Sequence, residues 1–166
     1  MRALTPAEDA ALSFVCKRVE VEPYLLAALI EFESSWQPLI KNRLSSARGL
    51  IQFMDRTAHR LGYADPKAPS EKPWLDASRV LLEAHPDTVS QLLCPVLRYL
   101  YPMKPFPTDQ SLFMAVFYPA YRKVDPGTPF PERVRRSNQG IITVNDYLQK
   151  VWRRVGNIDI ASEGQT

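Results

Sequence analysis

Proline limits the folds open to this chain more than any other feature. The sequence has 15 prolines and 6 glycines. Because proline ends or kinks a helix and cannot pair inside a sheet, this density predicts short helices separated by stiff turns. No stretch alternates strictly between apolar and polar residues, and no hairpin dipeptide lies between strand-like runs. The sequence therefore predicts an all-α fold of about eight short helices.

Helix start signals place most of these helices. The run Thr5-Pro6-Ala7-Glu8 combines a capping threonine, a proline suited to the first helical position and a capping-box glutamate. It predicts a helix over about residues 6–17. Pro23 opens a second helix, which runs to about residue 33. Further helices are expected over 49–61 (capped by Ser45 or Ser46 and closed by Gly62), over 74–83, from Pro86 with a kink or break at Pro95, after Thr108, and from Thr143 to about 155.

Length and charge narrow the class of protein. A chain of 166 residues with 45% hydrophobic residues forms one domain, expected over 1–166 with a frayed tail from about residue 157. The net charge is +3, and the densest basic run, ERVRRSNQG, is typical of a solvated face. No nucleic-acid partner is expected. The charge is compatible with a weak attraction to an anionic polymer such as a bacterial wall.

Cysteine and histidine usage argues against a metal or cofactor. Cys16 and Cys94 lie in apolar runs without a metal-binding spacing, so buried free thiols are expected, with one long-range disulfide as the alternative. His59 and His85 also lack such a spacing. No apolar run is long enough to span a bilayer, so no membrane insertion is expected, and the first residues do not resemble a secretory signal.

The apolar stripe of the second predicted helix ends in a carboxylate. In LLAALIEFESSWQP, Leu26, Leu29 and Ile30 recur at helical spacing, and the same stripe reaches Glu33. Glu33 either reaches solvent past the rim of the core or is a partly buried acid. Burial would raise its pKa from about 4.3 to about 6, which would allow it to donate a proton.

Three elements of the chain resemble one enzyme family. Glu33-Ser34 with Pro38 resembles the E-S-x-x-x-P element of the soluble lytic transglycosylases and goose-type lysozymes, and Ala47-x-Gly49-Leu50-Ile51-Gln52 resembles their A-x-G-L-M-Q element. The run LFMAVFYPAY resembles their A-A-Y-N-A-G element, with Tyr118 on its tyrosine and Ala120 on its alanine. The resemblance spans about residues 26–121. Pro119 and Tyr121 depart from the family's asparagine and glycine, and this variant is similar to phage-associated members.

The resemblance implies a lysozyme-like domain with a substrate groove and a single catalytic glutamate, Glu33. It would cleave the β-1,4 bond between N-acetylmuramic acid and N-acetylglucosamine in peptidoglycan. Asp55, Asp65 and Asp76 are candidates for a second carboxylate, but none lies in a matching motif. In this family the acetamido group or the C6 hydroxyl of the substrate can take the nucleophile's place. The prediction is a lytic transglycosylase; the alternatives are a hydrolytic lysozyme, a chitin-cleaving enzyme, and a non-catalytic wall-binding or virion structural module.

Candidate substrate-binding residues follow Glu33 in the sequence. The amide of Gln52 suits sugar hydroxyl or acetamido groups, and Gly49 permits a close backbone approach or an unusual φ. Ser46 either orients Glu33 or caps the third helix. Aromatic rings are flat platforms for sugars, and the candidates are Phe53, Tyr63, Tyr118 and Tyr121. By the motif match, the hydroxyl of Tyr118 is expected to contact Glu33.

The expected partner is therefore the glycan strand, bound by a monomer. A phage virion or an endolysin acting in the bacterial periplasm or cell wall is the expected location.

Overall fold

The structure is a computed structural model that describes residues 2–160. Its α-helices are α1 (Pro6–Val19), α2 (Pro23–Ser34), α3 (Asp55–Arg60), α4 (Ala77–Ala84), α5 (Thr88–Gln91), α6 (Leu97–Leu100), α7 (Asp109–Phe117), α8 (Glu132–Ser137) and α9 (Val144–Trp152). A π-helical turn, Leu92–Val96, joins α5 to α6. With these two counted as one, the described residues form eight helices. The predicted all-α class is confirmed.

Most helices begin where the sequence predicts. Thr5, Thr108 and Thr143 cap α1, α7 and α9, each in a reciprocal capping box. Pro23 is the first residue of α2. Pro95 does not break its helix, because the π-helical turn accommodates the residue that lacks an N–H donor.

The predicted helix over 49–61 is wrong in its first half. Gly49 and Gln52 adopt left-handed φ angles of 81° and 58°, which an α-helix cannot contain. Residues 48–53 instead form a turn closed by a bridge between Arg48 and Phe53, and a second bridge pairs Arg48 with Lys41. Only α3 remains of the predicted helix, and Ser46 caps it, since its Oγ accepts from the N–H of Asp55 at 2.9 Å.

A small parallel sheet joins the two ends of the described chain. Strand β1 (Arg2–Ala3) pairs with β2 (Ile158–Asp159), with Arg2 opposite Ile158. The sequence predicts neither strand. Fraying from about residue 157 is also wrong as far as residue 160, because Ile158 and Ile160 are buried. The rest of that tail, 161–166, lies outside the described residues.

Helix α2 runs through the centre of the molecule. Its five consecutive residues 26–30 are all buried, so the helix is apolar around its whole circumference there. It packs against α1, α7 and α9. Trp36, just beyond its end, is also buried and donates its indole N–H to the carbonyl of Ala27 at 3.2 Å. The α2 helix therefore presents its last turn, with Glu33, from a rigid base.

Both cysteines are free thiols, as expected, although Cys94 is only half-buried. Among residues 2–160, no helix is both long and apolar enough to cross a membrane.

Candidate active site

Glu33 lies in the last turn of α2 and opens into a cavity of about 420 Å³. The cavity is bounded by three parts of the chain: the segment 42–54, the end of α7 with Tyr118, and α8 with Asn138. Its apolar lining residues are Leu44, Ala47, Ile51, Met54, Val116, Phe117 and Val134. Its polar lining residues besides Glu33 are Asn42, Ser45, Gln52, Tyr118, Arg133, Ser137 and Asn138. This mixture of apolar and polar groups suits a sugar, which has both kinds of surface.

A tyrosine from the last helix holds the Glu33 carboxyl group. The hydroxyl of Tyr147, on α9, donates to Glu33 Oε1. The ring of Tyr147 is fully buried. It stacks on Phe117 with ring centroids 4.3 Å apart and meets the edge of Phe32 at 5.1 Å. These contacts fix the hydroxyl, and with it the orientation of the carboxyl group.

The surroundings of Glu33 change its acidity. Burial raises the pKa of Glu33 to about 7, and the hydrogen bond from Tyr147 partly opposes this rise. Glu33 is nevertheless only partly buried, because its side chain reaches solvent at the cavity. Near neutral pH both the acid and the carboxylate are populated, so the group can donate a proton and then accept one.

Two of the three other candidate carboxylates, Asp55 and Asp65, have structural roles. Asp55 accepts from the backbone N–H groups of Asp76 and Ser78, and from the Ser78 hydroxyl, at 2.7–3.2 Å. Asp65 pairs with Arg79 at 2.7 Å. Among the residues that the structure describes, Glu33 is the only carboxylate that lines the cavity. The same residues contain no cluster of three or more side chains suited to a metal ion.

A buried glutamine holds the turn that carries Gln52. Gln91 Oε1 accepts from the N–H of Leu50 at 2.9 Å, and its Nε2 donates to the carbonyl groups of Pro38 and His85 at 2.7 and 3.0 Å. Gly49 lies directly against this amide: a Cβ atom there would come within 2.7 Å of Gln91 Oε1. Gln91 thus ties the segment after Glu33 to the turn 49–52.

The family relationship agrees with this geometry. Residues 14–75 match the family model of the transglycosylase SLT domain. This part of the chain is similar to the transglycosylase SLT domain. The match includes Glu33 and the turn 49–52 and covers a little over a third of the chain. An SLT domain implies peptidoglycan lytic transglycosylase activity in general. No curated protein matches the chain.

Two of the predicted substrate-binding residues line the cavity. Gln52 does so from a left-handed backbone conformation, with its Nε2 donating to the carbonyl of Gly49 at 3.0 Å. Tyr118 also lines the cavity, but Tyr147 and not Tyr118 is the tyrosine that hydrogen-bonds Glu33. The predicted role of the Tyr118 hydroxyl is therefore wrong, while its place beside the acid stands.

The other predicted binding residues lie outside the cavity lining. Phe53 is in the core, edge-on to Tyr99, and Tyr63 bonds His85 Nε2 at 2.7 Å. Tyr121 stacks on Phe130 with centroids 5.6 Å apart. Ser46 is occupied as the cap of α3, and Gly49 is buried against Gln91. Each of these residues contacts a loop or the core of the protein: Ser46, Gly49, Phe53, Tyr63 and Tyr121.

No motif of the sequence includes Tyr147, but the apolar pattern of α9 indicates that this residue is buried. The stripe Val144, Tyr147, Leu148 and Val151 is the buried face of α9, and Tyr147 is the one residue on it with a hydroxyl group. A buried tyrosine hydroxyl needs a hydrogen-bond partner. No sequence motif indicates the other polar lining residues, because only the tertiary fold brings them to the cavity. They are Asn42, Arg133, Ser137 and Asn138.

Proposed function

We propose that this protein is a lytic transglycosylase that cleaves the β-1,4 bond between N-acetylmuramic acid and N-acetylglucosamine, with Glu33 as its single acid and base. The observation that carries the proposal is the state of Glu33. It is a carboxyl group with a pKa of about 7, held by Tyr147, in a cavity that no other described carboxylate lines. The SLT domain match over residues 14–75 supports the reaction class.

The reaction needs one proton donor that later becomes an acceptor. Protonated Glu33 donates its proton to the glycosidic oxygen while the bond from that oxygen to C1 of the muramic acid breaks. The carboxylate then removes the proton of the muramic acid C6 hydroxyl as its oxygen bonds to C1. The products are a 1,6-anhydro end and a new N-acetylglucosamine end, and Glu33 is again protonated. No water is consumed and no second carboxylate is required.

The hydrogen bond from Tyr147 assigns different tasks to the two oxygens of Glu33. Because the hydroxyl donates to Oε1, the acidic proton is carried by Oε2. A pKa close to the working pH favours both halves of the cycle, since neither proton transfer is strongly uphill. Gln52 and Tyr118 are the lining residues that we assign to glycan contact. Action as a monomer on the bacterial wall, and a phage origin, stay predictions.

The products of digestion test the proposal. Mass spectrometry of muropeptides released from purified peptidoglycan should find 1,6-anhydro ends. Reducing, hydrated ends would instead identify a hydrolytic lysozyme. Binding without any release, by a folded sample, would identify a wall-binding or virion structural module. Parallel digestion of chitin would reveal activity on the related polymer.

Substitution of Glu33 tests its assignment as the acid and base. Glu33→Gln should keep the fold and lower the rate of release by roughly 10²–10⁴-fold, because general acid and base catalysis is lost. Glu31→Gln is the control, since Glu31 lies on the same helix but not at the cavity. Full activity in the Glu33 variant would refute the assignment.

A further inference from the structure

Two of the segments that bound the Glu33 cavity are almost free of acidic residues. Residues 34–54 include Lys41, Arg43 and Arg48 but no aspartate or glutamate. Residues 126–145 include Arg133, Arg135 and Arg136, with one acid, Glu132. That acid is paired with Arg136 at 2.6 Å. These two segments therefore carry an excess of positive charge, although the chain as a whole is only weakly basic.

Arg133 is the cation that lines the cavity itself. Within residues 2–160 its guanidinium group has no hydrogen bond and no ion pair. Its polar neighbours on the same wall are bonded to the helix: Ser137 Oγ donates to the carbonyl of Arg133 at 3.2 Å, and Asn138 Nδ2 donates to that of Val134 at 2.9 Å. The guanidinium donors of Arg133 are thus left for a ligand.

Arg133 is not a partner of the catalytic acid. Burial raises the pKa of Glu33 and the Tyr147 hydrogen bond partly opposes the rise. Within residues 2–160, Arg133 forms no ion pair with this carboxylate. A guanidinium paired with that carboxylate would lower its pKa and remove the proton donor. The cation and the acid therefore serve different parts of whatever fills the cavity.

The chemistry of the proposed substrate supplies a suitable anion. The glycan backbone of peptidoglycan is uncharged, but each muramic acid bears a peptide stem with free carboxylates. That stem is attached to the sugar whose C1 bond is broken, so it lies close to the reaction centre. We propose that Arg133 binds a carboxylate of the peptide stem and makes the enzyme prefer glycan strands that carry stems. This inference rests on the proposed function, because it concerns the substrate of the same site.

Arginine suits this task in its geometry as well as its charge. Its planar fork can donate two parallel hydrogen bonds to one carboxylate, which lysine cannot do. Because Arg133 is exposed, the expected gain is modest. An exposed ion pair corresponds to a change of roughly twofold to fivefold in binding.

Binding of two forms of the same polymer tests the proposal. Glycan strands are prepared from acid-extracted peptidoglycan that lacks teichoic acid, and half are treated with an amidase that removes the stems. The lactyl carboxylate that the amidase leaves on each muramic acid is then converted to a primary amide, so that the stripped strands are uncharged. Dissociation constants are measured with Glu33→Gln as the background, so that no strand is cut. We expect stem-bearing strands to bind more tightly, and Arg133→Gln to lose roughly twofold to fivefold on those strands but nothing on stripped ones. Arg133→Lys should restore part of the loss.

The control removes the same charge elsewhere. Arg153→Gln changes an exposed arginine at the end of α9, away from the cavity, and should leave both constants unchanged at moderate salt. Equal losses in the Arg133 and Arg153 variants, or an equal loss on both kinds of strand, would overturn the proposal. Because binding is measured without turnover, this failure is distinct from failure of the proposed function, which is an absence of cleavage by the unmodified protein.

Phosphate is the other anion that walls contain. Adding back strands that keep their teichoic acid separates the two sources. A preference that depends on Arg133 and appears only with teichoic acid present would overturn the assignment to peptide carboxylates.

Discussion

Glu33 and Tyr147 are separated by 114 positions in the sequence, yet one hydrogen bond joins them in the fold. The chemistry of Glu33 arises from this neighbourhood. Burial favours the neutral acid, the tyrosine hydroxyl favours the carboxylate, and the balance leaves the pKa at about 7. Phe32 and Phe117 hold the tyrosine ring and so set the balance indirectly.

Removing the hydroxyl should move this balance in a known direction. In Tyr147→Phe the contribution that lowers the pKa of Glu33 is lost, so the pKa rises above about 7. Since the proposed reaction requires the protonated acid, the alkaline limb of the pH–rate profile should shift upward by roughly 0.5–1 pH unit. Tyr101→Phe, at an exposed position, is the control. An unchanged or acid-shifted limb would contradict the role of Tyr147.

The same residue makes folding depend on pH. The pKa of Glu33 is about 7 in the folded protein against 4.5 for the free group, so between these values the folded state binds more protons than the unfolded state. The stability that protonated Glu33 contributes is fully present below pH 4.5 and is lost as pH rises through about 7.

Glu33→Gln should therefore stabilise the protein at high pH. At pH 8 its free energy of unfolding should exceed that of the unmodified chain by roughly 1–3 kcal/mol, and the difference should shrink below pH 4.5. Denaturant titrations at the two pH values measure this. A variant that is equally stabilised at both would show that the effect does not come from the ionisation of Glu33.

At the scale of elements, the turn 48–53 decides the shape of the cavity wall. Its left-handed residues reverse the chain, and Gln91 fixes the result from a distant helix. Gly49 meets two demands at once: a positive φ and contact with the Gln91 amide.

Two glycines allow these demands to be separated. Gly49→Ala combines backbone strain with a clash, whereas Gly62→Ala has a φ of 100° but no atom near the new methyl group. We expect Gly62→Ala to cost about 1 kcal/mol of stability and Gly49→Ala about 1–3 kcal/mol more. Thermal unfolding measures both. Equal costs would mean that Gln91 yields to the added methyl group and does not hold the turn rigidly.

The turn also marks a limit of prediction from sequence. Helices whose start signals are local, such as the capped α1 and α9, could be predicted from a few adjacent residues. The prediction of a helix over 49–61 was wrong in its first half because the apolar residues there, including Leu50 and Phe53, belong to a turn. The turn packs their side chains into the core, as a helical face would have done. Apolar spacing alone does not distinguish the two when distant contacts set the backbone.

At the scale of the whole molecule, the cavity is assembled from parts that lie far apart in the chain. The acid and the turn 49–52 lie within the SLT match at residues 14–75, and the motifs singled out both before the structure brought Glu33 and Gln52 to one cavity. Tyr147 and Arg133 lie outside that match and reach the cavity through the packing of α9 and α8. The apolar stripe of α9 marks Tyr147 as a buried hydroxyl group that needs a partner, but local patterns do not identify that partner, so only a structure could place these contacts.

The pairing of β1 with β2 has a consequence for how this domain connects to other chains. Arg2 and Ile158 are partners in parallel strands, so the two ends of the described chain lie about 5 Å apart and run in the same direction. A longer polypeptide could enter and leave the domain at this one spot without stretching across it. Arg2 also donates to the carbonyl of Trp36 at 3.1 Å, just beyond the helix that bears Glu33. Tension applied at this pair of strands would therefore act close to the end of the helix that carries Glu33.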